Sequence, residues 1–192
     1  EGDINKISKK QIELNVKSLA SQIQNFALKN EKEQIRIFGV IGASEESLII
    51  MLTSAFLGAH HSICFEELSE TAIQTRIEMF KPDIILSREI TESKTKNSIK
   101  KSSIPDTPFL TIRRSNLTAS IINQFEIPKE YKNESSLFTL YTSGSTGKPK
   151  AIIHGAKNYL EYAKFTTDYF FGIKKGSKIL TATDAGWING HT

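Results

Sequence analysis

Three short apolar runs constrain the fold of this chain more than any other feature: IRIFGVIG at 35–42, HSICF at 61–65 and DIILS at 83–87. Each is continuous rather than alternating, as expected of strands buried on both faces. A helical pattern separates the first two. Ser44 offers an N-cap hydroxyl, Glu45 and Glu46 put carboxylates at the positive end of the helix dipole, and Gly58 follows the last turn. Its LIIMLTSAFL run is apolar nearly all round, so the helix 45–57 is expected to be covered on most sides. Ser69 caps a third helix whose Ile73, Ile77 and Phe80 share a face, and Pro82 ends it. Strand–helix–strand–helix–strand at this spacing returns the chain in the same direction each time. The expectation is an α/β fold with a parallel sheet flanked by helices.

Further elements surround that unit. Residues 8–30 form an amphipathic helix pattern, with Ile12, Val16, Leu19, Ala20, Ile23, Phe26 and Ala27 on one face and Ser8 as N-cap. Residues 88–107 are polar and lysine-rich (SKTKNSIKKSS) and are expected to be a surface loop. PFLTI (108–112) is a short strand and 113–136 mostly connector; SLFTLYT (136–142) and KAIIH (150–154) are strands. Residues 156–171 read as a helix whose Tyr and Phe side chains belong to a core, and KILTATD (178–184) as a further strand.

Composition narrows the class. Hydrophobic residues make up 39% and charged residues 24%, ordinary for a globular domain. A net charge of +4 suits anionic ligands without arguing for nucleic acid. The single cysteine, Cys64, lies inside an apolar run and reads as a small core residue; no disulfide can form within the chain, which points to a reducing, cytoplasmic setting. No apolar run approaches the ~20 residues needed to cross a bilayer, so no membrane association is expected. Neither end reads as a natural terminus, and the chain is expected to be part of a longer one.

YTSGSTGKPKA (141–151) carries the chemistry. Four Ser/Thr hydroxyls, two lysines and three Gly/Pro residues occupy eleven positions between two strands. Gly144 and Gly147 allow the backbone N–H groups to converge on one anion and let an oxygen approach closely. Thr142, Ser143, Ser145 and Thr146 add hydroxyl donors, and Lys148 and Lys150 add charge. A polyphosphate is the natural guest. The run is not a Walker A loop: two residues separate its glycines, and Pro149 follows Lys148 and disfavours a helix there.

YTSGSTGKPK followed by an apolar strand ending in His154 closely resembles the signature phosphate loop of the adenylate-forming superfamily, with Ala151 where that family usually has glycine. TDAGWINGHT (183–192) resembles the Asp-x-Gly-Trp-x-x-Gly-His stretch of acetyl- and propionyl-CoA synthetases, and GAHHSICFEELSETAIQTRI (58–77) is similar to another segment of the same group. Glu66-Glu67 stand where that group has Gly-Gly near the pantetheine channel, and a gapless match puts its CoA-phosphate arginines on Ser93 and Lys96.

The resemblance implies an AMP-forming acetyl-CoA or other short-chain acyl-CoA synthetase. Such an enzyme uses a small-molecule carboxylate, ATP with Mg2+, and CoA. Other adenylate-forming ligases and a non-catalytic nucleotide-binding module remain alternatives. It implies that 142–150 meets the β- and γ-phosphates and that Trp187, Ile188, Asn189, Gly190 and His191 border the acyl and CoA pocket. Lys94 and Lys96 would supply charge to CoA phosphate, or simply face solvent. Trp187 could equally be a core residue, and His191 a satisfied loop histidine. It also implies that residues 1–192 are part of a large N-terminal AMP-binding domain: a helix plus βαβαβ unit at about 8–87, a connector at about 88–135, and a phosphate-loop and acyl-pocket segment at about 136–192. The family's catalytic lysine would then sit in a C-terminal domain outside these residues, and the chain alone would not complete the reaction.

Overall fold

The computed structural model of the chain describes residues 6–27, 34–113, 117, 134–142 and 148–191, with the backbone alone at 25–27. Among the described residues the sheet has six strands: β1 (Arg36–Val40), β2 (His60–Cys64), β3 (Ile84–Arg88), β4 (Phe109–Ile112), β5 (Ser136–Thr142) and β6 (Lys150–Gly155). They lie in the order β4-β3-β1-β2-β5-β6. Every pairing is parallel except β5 with β6. The expected parallel α/β architecture is therefore present, and 35–42, 61–65 and 83–87 are its three central strands.

Helices α1 (Lys9–Ala27) and α2 (Glu45–Phe56) cover one face; α3 (Glu70–Phe80) and α4 (Glu92–Lys100) cover the other. The first core joins Val16, Leu19, Ala20 and Ile23 of α1 to Ile49 and Ile50 of α2 and to Ile37, Ile63, Ile84 and Leu86 of the sheet. The second joins Ile73, Ile77 and Phe80 of α3 and Ile99 of α4 to Phe38, Val40, Cys64 and Ile85. Alternate residues of each strand thus feed opposite cores, as the two-residue period of a strand requires.

The helix ends follow their signals. Ser8 Oγ accepts the Gln11 amide, and Ser69 Oγ the Ala72 amide. Ser44 and Ser47 form a reciprocal capping box at the start of α2. Gly58 takes a φ of 64° just after α2, and Lys81 closes α3 with a φ of 51°.

Four expectations are corrected or refined. Residues 88–107 do not form a loop: a 3₁₀ turn at Glu89–Thr91 leads into α4. The buried face of α4 is Thr95, Ser98 and Ile99, so hydroxyls outnumber hydrocarbon there. Thr95 donates to the Thr91 carbonyl at 2.8 Å and Ser98 to the Lys94 carbonyl at 2.9 Å, so both can be fully buried without losing a partner. Secondly, α2 is covered on most sides, with Ser47, Ile49, Ile50, Thr53 and Ser54 buried, but one stripe with Leu48 and Leu52 is exposed. Thirdly, 178–184 join no strand among the described residues, and Leu180 is 92% exposed. Fourthly, the aromatic helix α5 (Ala156–Tyr169) is not core: Tyr162, Phe165 and Tyr169 are exposed, as are Ile152 and Ile153 of the adjoining β6.

A candidate nucleotide and acyl site

Because β1, β2, β3 and β5 run parallel, their carboxyl ends share one edge of the sheet. The last residue of β5, Thr142, faces the first residue of β6, Lys150, in the ladder. The segment joining them therefore leaves the sheet at that edge. Thr142, Lys148 and Lys150 are exposed there. Ser143, Gly144, Ser145, Thr146 and Gly147 lie outside the described residues. The edge holds a topological switch point as well. The helix after β1 lies on one face and the helix after β2 on the other, so a crevice opens between the ends of β1 and β2. Ligands of open α/β sheets bind in such crevices.

A packed ion cluster lines this crevice. Arg88, at the end of β3, reaches both Glu66 carboxylate oxygens at 3.3 Å and Glu46 at 3.9 Å. The Glu66 side chain lies against Gly42: a Cβ there would sit 2.8 Å from Glu66 Oε1. Lys94 donates to the backbone carbonyls of Glu66 and Leu68 and so staples the β2–α3 turn. Lys96 pairs with Glu92 on its own helix and lies over the Phe109 ring. Both lysine ammonium groups are thus engaged within the protein.

The second motif is a self-bonded double turn. Asp184 Oδ1 accepts the Gly186 amide at 2.8 Å, and its backbone carbonyl accepts the Trp187 amide at 3.0 Å. The Gly190 amide then bonds the Trp187 carbonyl, also at 3.0 Å. Gly190 is required: a Cβ would meet the Asp184 carbonyl oxygen at 2.5 Å. Ala185 is buried in the α1/α2 core, and Gly186 lies under the Phe65 ring. Trp187 is 61% exposed, with its ring centroid 5.8 Å from that of Phe65, so it is not a core residue. Ile188 and Asn189 are exposed beside it.

His191 ends the turn against the sheet. Its ring lies 4.1 Å from Phe138 and 5.2 Å from His61, centroid to centroid, and its Nε2 is 3.1 Å from His61 Nε2. His154 stacks on Phe138 as well. Burial, with His191 and His60 nearby, holds the His61 imidazole down at about 3. Burial and Arg36 hold His60 at about 4, and its Nε2 meets the Thr139 hydroxyl at 2.7 Å. Burial lowers His191 too, against a hydrogen bond to the Trp187 carbonyl that raises it. Burial pushes the Cys64 thiol up to about 12, in line with a core residue.

The fold brings the phosphate-type hairpin and the Trp187 turn to neighbouring strands, although they are far apart in sequence. Arg88, Phe65 and His61 were not singled out from sequence. The alternation along β2, which places His61, Ile63 and Phe65 on one face, is the signal that picks out two of them.

The sequence model of the AMP-binding enzyme family matches residues 2–192. The chain belongs to that family. Among curated AMP-binding relatives, acetyl-coenzyme A synthetase of Helicobacter pylori (strain P12) is 28% identical over 215 residues, matching 100% of this chain and 32% of its own length. That of Mycolicibacterium smegmatis is 31% identical over 170 residues, matching 77% of this chain and 18% of its own length. Among solved structures, acetoacetyl-CoA synthetase from Streptomyces lividans superposes with a TM-score of 0.77 at 17% identity, over 96% of this chain and 31% of that one. The chain thus spans about a third or less of the length of these relatives, and it shares their fold. Among the described residues, no helix is long and apolar enough to cross a membrane.

Proposed function

We propose that this chain supplies the nucleotide-phosphate and acyl-binding part of an AMP-forming short-chain acyl-CoA synthetase. One observation carries the reading. Thr142 ends β5 at the same sheet edge where Trp187 rests on Phe65, just past the end of the neighbouring β2. A polyphosphate held at the hairpin would therefore have its reacting end within the crevice that the Trp187 turn borders. In this reading the scaffold extends from 8 through α4 and β4 to 112, and 136–192 carry both motifs.

In the reaction a carboxylate oxygen bonds to the α-phosphorus of ATP while the bond from that phosphorus to the β-phosphate bridge oxygen breaks. Pyrophosphate leaves and acyl-AMP remains. The CoA sulfur, having lost its proton, then bonds to the acyl carbon, and AMP departs with the electrons of the broken carbon–oxygen bond. The first step sets an anion against a polyanion, so lysine charge and fixed N–H and O–H donors must screen the phosphates. Lys148, Lys150 and the 142–147 hydroxyls are suited to that task. Ile188 and Trp187 offer apolar surface to a short acyl chain. Among the described residues no three His, Cys, Asp or Glu side chains are grouped to hold a metal. Magnesium enters this reading with the ATP substrate.

Carboxylate-dependent exchange between ATP and pyrophosphate, measured on the full-length parent with acetate, propionate and butyrate, tests the proposal. Exchange with at least one of them is expected; none with any would overturn it.

A further inference from the structure

The ring nitrogens of His61 and His191 form a directed relay whose polarity follows from their partners. His191 Nδ1 lies 3.2 Å from the Trp187 carbonyl oxygen, which can only accept. Nδ1 therefore carries a hydrogen. In a neutral ring Nε2 is then a bare acceptor, so His61 Nε2, 3.1 Å away, must carry the hydrogen between them. His61 Nδ1 is left without hydrogen and has no hydrogen-bond partner among the described residues. A buried acceptor without a partner is tolerated only where the rest of the arrangement over-determines it. Here stacking on Phe138 and the bond across 130 residues of sequence do so. The ionisable groups facing the pair are His60 and His154, with Arg36 beside His60; His60 disfavours a second proton on His61, and His154 one on His191. Asp184, at the far end of the turn, is engaged with the Gly186 amide.

We propose that His61 is a positioning residue: through His191 it fixes the Trp187–Gly190 turn on the sheet, and thereby the acyl-length preference of the site that turn borders. The inference rests on the function proposed above. His61 belongs to β2, one of the central strands, whereas the turn follows an exposed stretch, 178–183, that joins no strand among the described residues. The chain leading into the turn gives it no such support. Among the described residues its hold on the sheet comes from Ala185, the Phe65 ring, the His191 ring on Phe138 and the His191–His61 bond. The last two act at the carboxyl end of the turn, and of these the His191–His61 contact is the hydrogen bond, which fixes the direction of the His191 ring as well as its place.

The test uses the full-length protein with His61→Leu, His61→Gln and His191→Leu, each checked by thermal melting. Gln can present an amide N–H near the position of Nε2, whereas Leu cannot. His61→Leu should change the acetate-to-butyrate ratio of kcat/KM by about 10-fold while leaving KM for ATP within about 2-fold. His61→Gln should bring the ratio back to within about 3-fold of wild type, and His61→Leu with His191→Leu together should do no more than either alone. An unchanged ratio in a folded His61→Leu, equal movement of KM for ATP, or additive effects would overturn the inference. His191→Leu, at a partly exposed position, serves the same comparison if His61→Leu does not fold. Hydrogen exchange separates this failure from failure of the proposed function. If wild type activates no acid, faster exchange at 186–191 in His61→Leu, with β5 unchanged, still supports positioning of the turn; unchanged exchange there overturns it.

Discussion

At the scale of single residues, function depends on which side chains are spent on the fold. Cys64 is buried with its thiol raised to about 12, so it should resist iodoacetamide at pH 8 in the native protein and react only on unfolding. Mass spectrometry reads this directly, and native-state alkylation would contradict the burial of the thiol between β2 and α3. Two of the crowded glycines, Gly42 and Gly190, should differ. A Cβ at Gly42 meets the Glu66 side chain, which can swing away from Arg88, whereas one at Gly190 meets backbone at 2.5 Å. Gly190→Ala should therefore accelerate hydrogen exchange across 186–191, while Gly42→Ala leaves that segment as it was; equal effects would argue against the turn. The histidines set a pH dependence. His60 at about 4 and His61 at about 3 lie below the ordinary value of 6.5, so the unfolded chain takes up their protons first as pH falls. Their contribution is intact above about pH 6.5 and is lost progressively below it, His61 alone costing about 2 kcal/mol by pH 5. Hydrogen exchange of the β2 amides, corrected for its intrinsic pH dependence, should show protection falling below pH 6.5. Constant protection down to pH 5 would contradict the burial.

Elements were legible from sequence wherever hydrocarbon carried the pattern. Ser44, Gly58, Ser69 and Pro82 mark real helix ends because caps and breakers act locally. Ser44→Ala should destabilise α2 by about 1 kcal/mol, seen as faster exchange over 45–50; no change would leave the capping box without energetic content. Helix α4 was not legible, since its buried face is Thr91, Thr95, Ser98 and Ile99, and a search for apolar period sees Ile99 alone. Its supports are tertiary. Lys101 and Asn97 reach Glu70 of α3, and Arg113 reaches Glu89 and Glu92. Helix α5 misled in the opposite sense. Its aromatic residues have the composition of a core, but composition does not say which surface meets them, and here they are exposed.

For the molecule as a whole, the sheet was readable because continuous apolar strands and capped crossovers allow few topologies. The position of β5 between β2 and β6 was not, since nothing local in SLFTLYT names its neighbour. The candidate site was readable as two motifs, but not as one place. Their meeting depends on β2 and β5 being adjacent, and on His61, Phe65 and Phe138 receiving the 184–191 turn. The central claim is that these motifs do separate work on one sheet edge. Its most direct test is kcat/KM for acetate, propionate and butyrate in full-length Lys148→Ala and Ile188→Ala. Lys148→Ala should slow all three acids alike and raise the ATP requirement, whereas Ile188→Ala should shift preference toward the longer acids by about 10-fold per step. An unchanged ranking in Ile188→Ala, or an altered one in Lys148→Ala, would contradict the account.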